Sequence, residues 1–556
     1  MTSVNIASHI PAMAALDPKR AALIAPDGRG GWSSMSFGEL NARSDAYARG
    51  LEAIGIGRGV RTVLMVPPSF DFFPLVFGLF KAGAVIVLID PGIGRAALLK
   101  CLDEVEPEAF IGIPPAHVAR LLFPKPFRKV KATVTVGRRW FWGGHTAKQV
   151  LALGGTEPYR MADPAPNETA AILFTSGSTG IPKGVVYTHE IFDAQVRLIR
   201  DTYGIQPGEI DLPTFPLFAL FDPALGMTAV LPEMDFRSPA KADPVKLIDA
   251  ITRHGCTSMF GSPALVDNLS RHAKSHRVTL PTLKRALCAG APVRNDVLER
   301  MSACLTGEAQ VFTPFGATES LPVASIGSRE AVTETASHTA AGAGVCVGRP
   351  VTGVTVRIIR ITDSPIPSWS DELLVPDGTI GEITVRGPIV TPEYFRRPEQ
   401  TALAKIREGD AIVHRMGDVG YLDPQGRLWM CGRKSHRVET ASGTLFTVPI
   451  EETLNQNPWV KRTALVGVGP KGQQRPVVLV ELNQDLINSL SHRPPPEVSW
   501  SAAQHAQSIK TFAASKPHTA GLESFHVYPG AFPVDARHNA KIEREKLAKW
   551  AQEQGL

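Results

Sequence analysis

Between residues 60 and 113 the chain alternates short, unbroken apolar runs with helical patterns. VRTVLMV (60–66) reads as a strand and Phe72–Phe80 as a helix; AVIVLID (84–90) is again a strand, AALLKCLDEV (96–105) a helix and EAFIGI (108–113) a strand. A strand that is apolar at every position is buried on both faces, which requires helices on both sides of a parallel sheet. The most apolar stretch, Phe72 to Ile89, is interrupted by Pro74, Gly78, Lys81 and Gly83. It falls short of the ~20 predominantly apolar residues of a membrane-spanning helix. It reads instead as a buried helix, a turn at Lys81–Gly83 and a buried strand. From about Val347 the pattern changes to short strands punctuated by Gly and Pro (VTVRIIRI, GEITVRGP, GRLWMCG), which predicts a small antiparallel or barrel-like unit. A turn at Asp423–Gly426 and one more strand lead to Gly432-Arg433, where a domain boundary is expected. The tail beyond it has its own strands (RTALVGV, PVVLVEL) and a closing helix. Its Pro-rich segment 491–504 reads as a surface loop.

At 556 residues the chain has room for three or four folding units. With 44% hydrophobic and 20% charged residues it has the composition of a soluble globular protein, so wholesale disorder is excluded. The 59 Lys and Arg against 53 Asp and Glu leave +6 over the whole length, which argues against a nucleic-acid partner. The six cysteines form no CxxC pair and read as free, buried thiols in a reducing compartment. The opening MTSVNIASHIPAMAALD has neither the charged nor the apolar region of a signal peptide, so a cytoplasmic location is expected.

The chemistry is concentrated in AILFTSGSTGIPKGVV (171–186). An apolar strand runs into Thr175, Ser176, Gly177, Ser178, Thr179 and Gly180, then Lys183-Gly184 and a second apolar run. Glycines let the backbone approach an anion and present N–H groups to it, hydroxyls add donors, and Lys183 adds charge. The loop reads as a phosphate cradle. It is not a Walker A loop: counting from Gly177, the sixth place is Pro182, and Gly184 follows the Lys where that motif needs Ser or Thr. A solvated Gly/Ser linker would lack the flanking apolar strands and the single Lys. GAGVCVG (342–348) has one residue too many for a dinucleotide fingerprint and reads as a turn and strand. His272 and His276 share a helix face with no Cys or acidic pair nearby, so no zinc site is expected.

TSGSTGIPKG closely resembles the signature of the AMP-forming adenylating superfamily of acyl-CoA synthetases, adenylation domains and luciferases. Similar motifs recur in order: Leu79–Ala84 through Asp90-Pro91, Ala289-Gly290-Ala291-Pro292, Pro314-Phe315-Gly316-Ala317-Thr318-Glu319, Gly381-Glu382 through Gly387-Pro388, Gly417-Asp418, Gly432-Arg433 and a late Lys541. The resemblance covers nearly the whole chain. It implies an α/β fold: a large N-terminal domain (1–431) of two doubly wound sheets plus a small β-barrel-like unit, and a small mobile α+β C-terminal domain (432–556) carrying the catalytic lysine.

The resemblance also implies roles. ATP and Mg²⁺ would be bound, with Thr175–Lys183 on the β- and γ-phosphates and Glu319 on the metal, a hard cation that prefers oxygen. Thr318 would bond the α-phosphate. Phe315 would face adenine beside Gly316, with Gly290, Ala291 and Pro292 on the adenine side. Asp418 would accept hydrogen bonds from the ribose hydroxyls, and Arg433 would contact the nucleotide from the linker. Lys541 would reach the reacting phosphate and carboxylate. Each residue alone also has a plain structural reading: Phe315 as core, Glu319 as a helix start, Asp418 as a turn cap, Arg433 as a surface charge, Lys541 as one lysine of a mixed-charge helix. Phe215, Phe218 and Phe221, in a Phe- and Pro-rich segment, would line an acyl channel; core packing explains them equally well.

Four positions depart from the commonest acyl-CoA synthetase pattern: Ser435 at the hinge, Glu439 where Lys is common, Asn539-Ala-Lys541 for Asn-Gly-Lys, and Phe315 for Tyr. Together with PFGATES (314–320), the Phe-rich segment and RHNAKI (537–542), they are most similar to the olefin-biosynthesis β-lactone synthetases. That branch activates a long-chain 2-alkyl-3-hydroxy fatty acid, whose own hydroxyl closes the lactone without CoA. It works beside a thiolase-like condensing enzyme, a reductase and a lactone decarboxylase, so a multi-enzyme assembly is expected. The alternatives are a long-chain acyl-CoA ligase or a fatty acyl-AMP ligase. A degenerate nucleotide-binding scaffold would have lost Lys183, Glu319 or Lys541; all three are present.

Overall fold

The computed structural model describes residues 3–175, 182–489, 500–534 and 542–556. Two large sheets share an apolar layer. The first has seven strands in the order His145–Thr146, Ala132–Thr135, Ala109–Gly112, Arg61–Met65, Val85–Ile89, Thr169–Thr175 and Lys183–Thr188. All neighbours are parallel except the last pair, a hairpin that sets Thr175 opposite Lys183. The helix Phe72–Lys81 is buried along its whole length, as expected of a helix that is apolar on every side. Its phenylalanines join residues of both large sheets in the main core. The expected strand–helix alternation of residues 60–113 is found, with each element within two residues of its predicted bounds.

The second sheet has fourteen strands. Its parallel part contains Thr228–Val230, Ile210–Pro213, Ser258–Gly261, Arg285–Cys288 and Gln310–Ala317. From there the pairing turns antiparallel through Ser320–Gly327, Val345–Pro350, Leu428–Arg433, Ala411–Leu422, Gly381–Arg386 and Thr355–Ile359. The antiparallel unit expected beyond Val347 is therefore hydrogen-bonded into the parallel sheet as its continuation. The residues after Arg433 form a three-stranded sheet, Val460–Val468, Arg475–Leu482 and Ser524–Val527, with a separate apolar cluster on each face. The helix Ala502–Ala514 occupies the end of the segment read as a surface loop. Ser501 caps it, accepting from Gln504 N–H while the Gln504 side chain accepts from Ser501 N–H; residues 490–499 lie outside the described residues. All six cysteines are buried and free. Among the described residues, no helix is long and apolar enough to cross a membrane.

Candidate functional site

The hairpin Thr169–Thr175/Lys183–Thr188 places Lys183 on the wall of a cavity that residues of the second sheet also line. Ser176, Gly177, Ser178, Thr179 and Gly180 lie outside the described residues, so only the flanks of the expected cradle are seen. Gly184 is required here: a Cβ on it would stand 2.9 Å from Ile172 Cγ2 and 3.0 Å from the Phe174 ring. Residues 393–395 run beside the hairpin through Phe395 N–H donating to Gly184 O (2.7 Å) and a Val185–Tyr394 bridge. This seats the Tyr394 ring 4.8 Å from Lys183 Nζ.

Thr318 and Glu319 form the two-residue turn between Gln310–Ala317 and Ser320–Gly327, since Ala317 pairs with Ser320. Glu319 is thus not a helix start. Gly316 is needed for the turn to close, because a Cβ there would meet Ser320 O at 2.8 Å. The turn is pinned from several sides. Tyr187 Oη donates to Thr318 O. Thr391 donates to Glu319 O from both its N–H (3.0 Å) and its hydroxyl (3.1 Å). Lys405 Nζ donates to Thr391 Oγ1 at 3.1 Å. Tyr394 Oη donates to Glu319 Oε1 at 2.6 Å. Lys405 is buried, and desolvation lowers its ammonium pKa to about 7, while the Glu319 carboxylate pulls it the other way. His414 lies behind, donating from Nδ1 to Ala404 O at 3.1 Å; burial, then Lys405, hold its pKa far below the ordinary imidazole value. Burial, reinforced by the Glu319 charge, raises the Tyr394 hydroxyl, so it stays a donor.

One oxygen of Glu319 is therefore engaged, and no described residue bonds the other. Among the described residues there is no group of three or more metal-ligating side chains. A single half-buried carboxylate suits a Mg²⁺ ion that is completed by phosphate oxygens and water; it does not suit a protein-caged metal.

Asp418 and Arg433 pair across adjacent strands, with Arg433 Nη1 at 3.1 Å from Asp418 Oδ1. Asp418 is buried and Arg433 partly exposed. Gly432 has φ +132°, and a Cβ on it would stand 2.6 Å from Thr447 Oγ1. Only glycine lets the last strand of the large sheet pass so close to the helix Thr447–Leu454. Gly290, in the turn after Arg285–Cys288, has φ +102°. Gly290, Ala291, Pro292, Phe315, Gly316, Thr318, Glu319, Lys183, Asp418 and Arg433 all line one cavity of about 2960 Å³.

Phe215, Phe218 and Phe221 line the same cavity and are only half-buried, so they are not plain core. They belong to a continuous aromatic wall. Phe218 stacks on Phe260 with ring centroids 4.1 Å apart; Phe221 lies 6.3 Å from Phe192, and Phe192 lies 5.4 Å from Phe80. Sequence reasoning missed Phe80, Phe192 and Phe260, which come from separate helices and a strand. It also missed Tyr394, Thr391 and Lys405, although Thr391 and Tyr394 follow closely on the noted Gly387-Pro388.

Lys541 lies outside the described residues. Its neighbour Ile542 bridges to Val534 and lines the cavity with Glu543 and Arg544. Arg544 is fixed by a two-pronged pair with buried Glu451 (2.5 and 2.7 Å). Around the hinge position Ser435, Glu382 binds both Arg415 (2.6 Å) and Lys434 (3.0 Å). Arg437 pairs with Asp363 (2.9 Å) and Glu439 (2.5 Å), and Lys471 also reaches Asp363 (2.6 Å). The rings of His272 and His276 stack on each other at 4.0 Å.

The AMP-binding enzyme family matches residues 11–395. The chain is 51% identical over 565 aligned positions to an olefin beta-lactone synthetase of Xanthomonas campestris, covering 100% of this chain and 98% of that one. It is 52% identical to the enzyme of the same name from Stenotrophomonas maltophilia, with 98% of each covered. Among solved structures, an amide bond synthetase from Marinactinospora thermotolerans superimposes with a TM-score of 0.78 over 98% of this chain and 99% of that one. At 19% identity this is a likeness of fold.

Proposed function

The chain belongs to the AMP-binding enzyme family, and we propose that it uses ATP to adenylate a long-chain 2-alkyl-3-hydroxy fatty acid and closes that acid to a β-lactone in olefin biosynthesis. The observation that carries this reading is a single cavity with a pinned Glu319 and Lys183 at one part of its wall, Asp418 and Arg433 at another, and a run of aromatic rings at a third. It occurs in a chain that is about half identical, end to end, to proteins named for that activity.

A carboxylate resists attack at its carbonyl. In the first half-reaction its oxygen attacks the α-phosphorus of ATP, the bond to the β-phosphate oxygen breaks, and pyrophosphate leaves. Lys183, with Thr175–Gly180, holds the leaving diphosphate. Glu319 would hold Mg²⁺ through the oxygen that Tyr394 leaves open, and the ion would neutralise phosphate charge. Thr318 bonds the α-phosphate. Phe315 and the Gly290–Pro292 turn hold adenine, Asp418 accepts from the ribose hydroxyls, and Arg433 contacts the nucleotide. Residues 432–556 bring Lys541 to the α-phosphate, where charge builds as the bond breaks.

In the second half-reaction the 3-hydroxyl attacks the activated carbonyl, gives up its proton, and AMP leaves as the four-membered ring closes. The nucleophile is already tethered, so its effective concentration is high and no thiol needs delivery. Glu439 supports this: where Lys is common in thioester-forming relatives, it forms an ion pair with Arg437 (2.5 Å) and lies 3.6 Å from Lys471 Nζ. Phe215, Phe218 and Phe221 line the acyl pocket. The protein works in the cytoplasm beside enzymes that make the hydroxy acid and decarboxylate the lactone; six free, buried thiols support a reducing compartment.

The test is product mass. With ATP, Mg²⁺ and a racemic 2-alkyl-3-hydroxy acid, and without CoA, the product is expected one water lighter than the acid. Product that forms only when CoA is added, as a thioester, would instead make the protein an acyl-CoA ligase. Release of free acyl-adenylate would make it an acyl-AMP ligase.

A further inference from the structure

Residues 109–156 contain eight Lys or Arg and no Asp or Glu, more positive charge than the entire chain nets. They also hold five of the nine large apolar side chains that stand exposed among the described residues: Leu121, Leu122 (69%), Trp140 (52%), Phe141 (80%) and Leu153. The loop after Ala132–Thr135, Arg138-Arg139-Trp140-Phe141-Trp142, leads into the edge strand of the seven-stranded sheet, at the opposite edge from the Lys183 hairpin.

The loop is presented from a fixed anchor. Trp142 turns inward, stacks on buried His117 (5.2 Å, 3° between planes) and donates from Nε1 to Thr135 Oγ1 at 2.9 Å. Gly144 follows with φ +74°, and a Cβ on it would run into Thr133. With Trp142 held, Trp140 and Phe141 remain outside. Leu121 lies one helical turn beyond His117 on Pro114–Leu122. Exposed Lys131, Arg138 and Lys148 have no ion-pair partner among the described residues.

Indole and phenyl rings flanked by arginines suit the boundary between lipid headgroups and acyl chains, and outward cations suit a surface of negative charge. We propose that this face docks the protein on an anionic lipid bilayer, with Trp140 and Phe141 entering the headgroup region and Lys131, Arg138 and Lys148 lying over lipid phosphates. The same helix that ends at Leu121-Leu122 has Ala116 of its first turn on the cavity wall, so the patch stands beside the apolar part of the site. Uptake of a two-chain acid from that surface rests on the proposed activity; the docking does not.

The experiment is co-sedimentation of the full chain with vesicles of phosphatidylcholine alone or doped with phosphatidylglycerol. Binding is expected to the doped vesicles only, to fall roughly tenfold in high salt, and to fall roughly tenfold in Trp140→Ala/Phe141→Ala and in Lys131→Glu/Arg138→Glu. Leu374→Ala, an exposed apolar change elsewhere, should bind as wild type. Lactone formation from detergent-dispersed acid should be unchanged in all of these variants. Equal binding to both vesicle types, binding untouched by either double variant, or no binding at all would overturn the proposal. So would self-association that Trp140→Ala/Phe141→Ala abolishes in a protein that ignores vesicles, since the face would then bind a second copy.

Discussion

Two parts of the molecule that the proposed reaction brings together over one phosphate are held by different kinds of bond. The Thr318–Glu319 turn is fixed by directional hydrogen bonds from Tyr187, Thr391 and Tyr394, all three of them buried residues. The residues after Arg433 are tied to the large sheet partly through ion pairs. One anchor, Asp363, is about half exposed while holding Arg437 and Lys471. Hydrogen bonds fix direction as well as distance, and removing one partner leaves a buried group unmet. Exposed ion pairs contribute ~0–1 kcal/mol each, tolerate rearrangement and weaken in salt. The contrast suits the roles proposed for them: a metal ligand in place before ATP arrives, and a tail that delivers Lys541 and withdraws.

The contrast is tested most strongly by removing the two charges. Lys541→Ala is expected to lower adenylate formation, read by pyrophosphate exchange, by about 10²–10³-fold, with an unchanged melting temperature. Glu319→Gln keeps an acceptor for Tyr394 but loses the charge; it should cost about 10²-fold, with more Mg²⁺ needed for half-maximal rate. Wild-type exchange in either variant would remove that residue from the mechanism. Next comes the pin. Tyr394→Phe deletes only the hydroxyl that orients Glu319 Oε1. We expect about a tenfold rise in the Mg²⁺ requirement, the equivalent of ~1.4 kcal/mol, with ATP affinity measured without metal unchanged. An equal loss at all Mg²⁺ concentrations would show that Tyr394 acts through packing. Smaller still is the tie across the linker. Arg437→Ala should change turnover only a few-fold, and it should flatten the salt dependence of turnover relative to wild type.

What the chain announces in its order of residues differs between these parts for physical reasons. The strands and helices of residues 60–113 could be read because burial on both faces leaves no polar position to confuse the period. Lys183 could be read from its Gly/Ser/Thr-rich surroundings, and Phe315, Glu319, Asp418 and Arg433 from motifs that resemble a family's; in three of these motifs the glycine (Gly184, Gly316, Gly432) is held by a close approach. The support was not legible in the same way. Tyr394 and Thr391 reach Glu319 from more than 70 residues away in sequence, with Lys405 behind Thr391, and nothing local separates a pinning tyrosine from a core tyrosine. The aromatic wall has the same character: Phe218 could be named from its own segment, but Phe80, Phe192 and Phe260 become its neighbours only when two sheets close on one helix layer. The fourteen-stranded path is a third case, since separate strand patterns do not reveal that the antiparallel unit pairs with the parallel one.

A last effect, read in stability rather than in rate, concerns Lys405, which carries charge into the pinned side. Its folded pKa is near 7 and desolvation is the main cause, whereas an unfolded lysine titrates near 10.4. Between those values the unfolded chain binds the proton more tightly, so folding releases it and stability rises with pH across that window, by at most ~1.4 kcal/mol per unit. Below about pH 7 both states are protonated and the penalty of burying the ammonium is present in full. Lys405→Met keeps the volume, removes the titration and loses one hydrogen bond to Thr391. Thermal melts from pH 6 to pH 10 should therefore show a wild type that gains a few degrees on Lys405→Met as pH rises, with the two curves closest, or crossed in favour of the variant, at the acid end. The comparison with the variant cancels the other groups that titrate in this range. Parallel curves would mean that the ammonium is solvated.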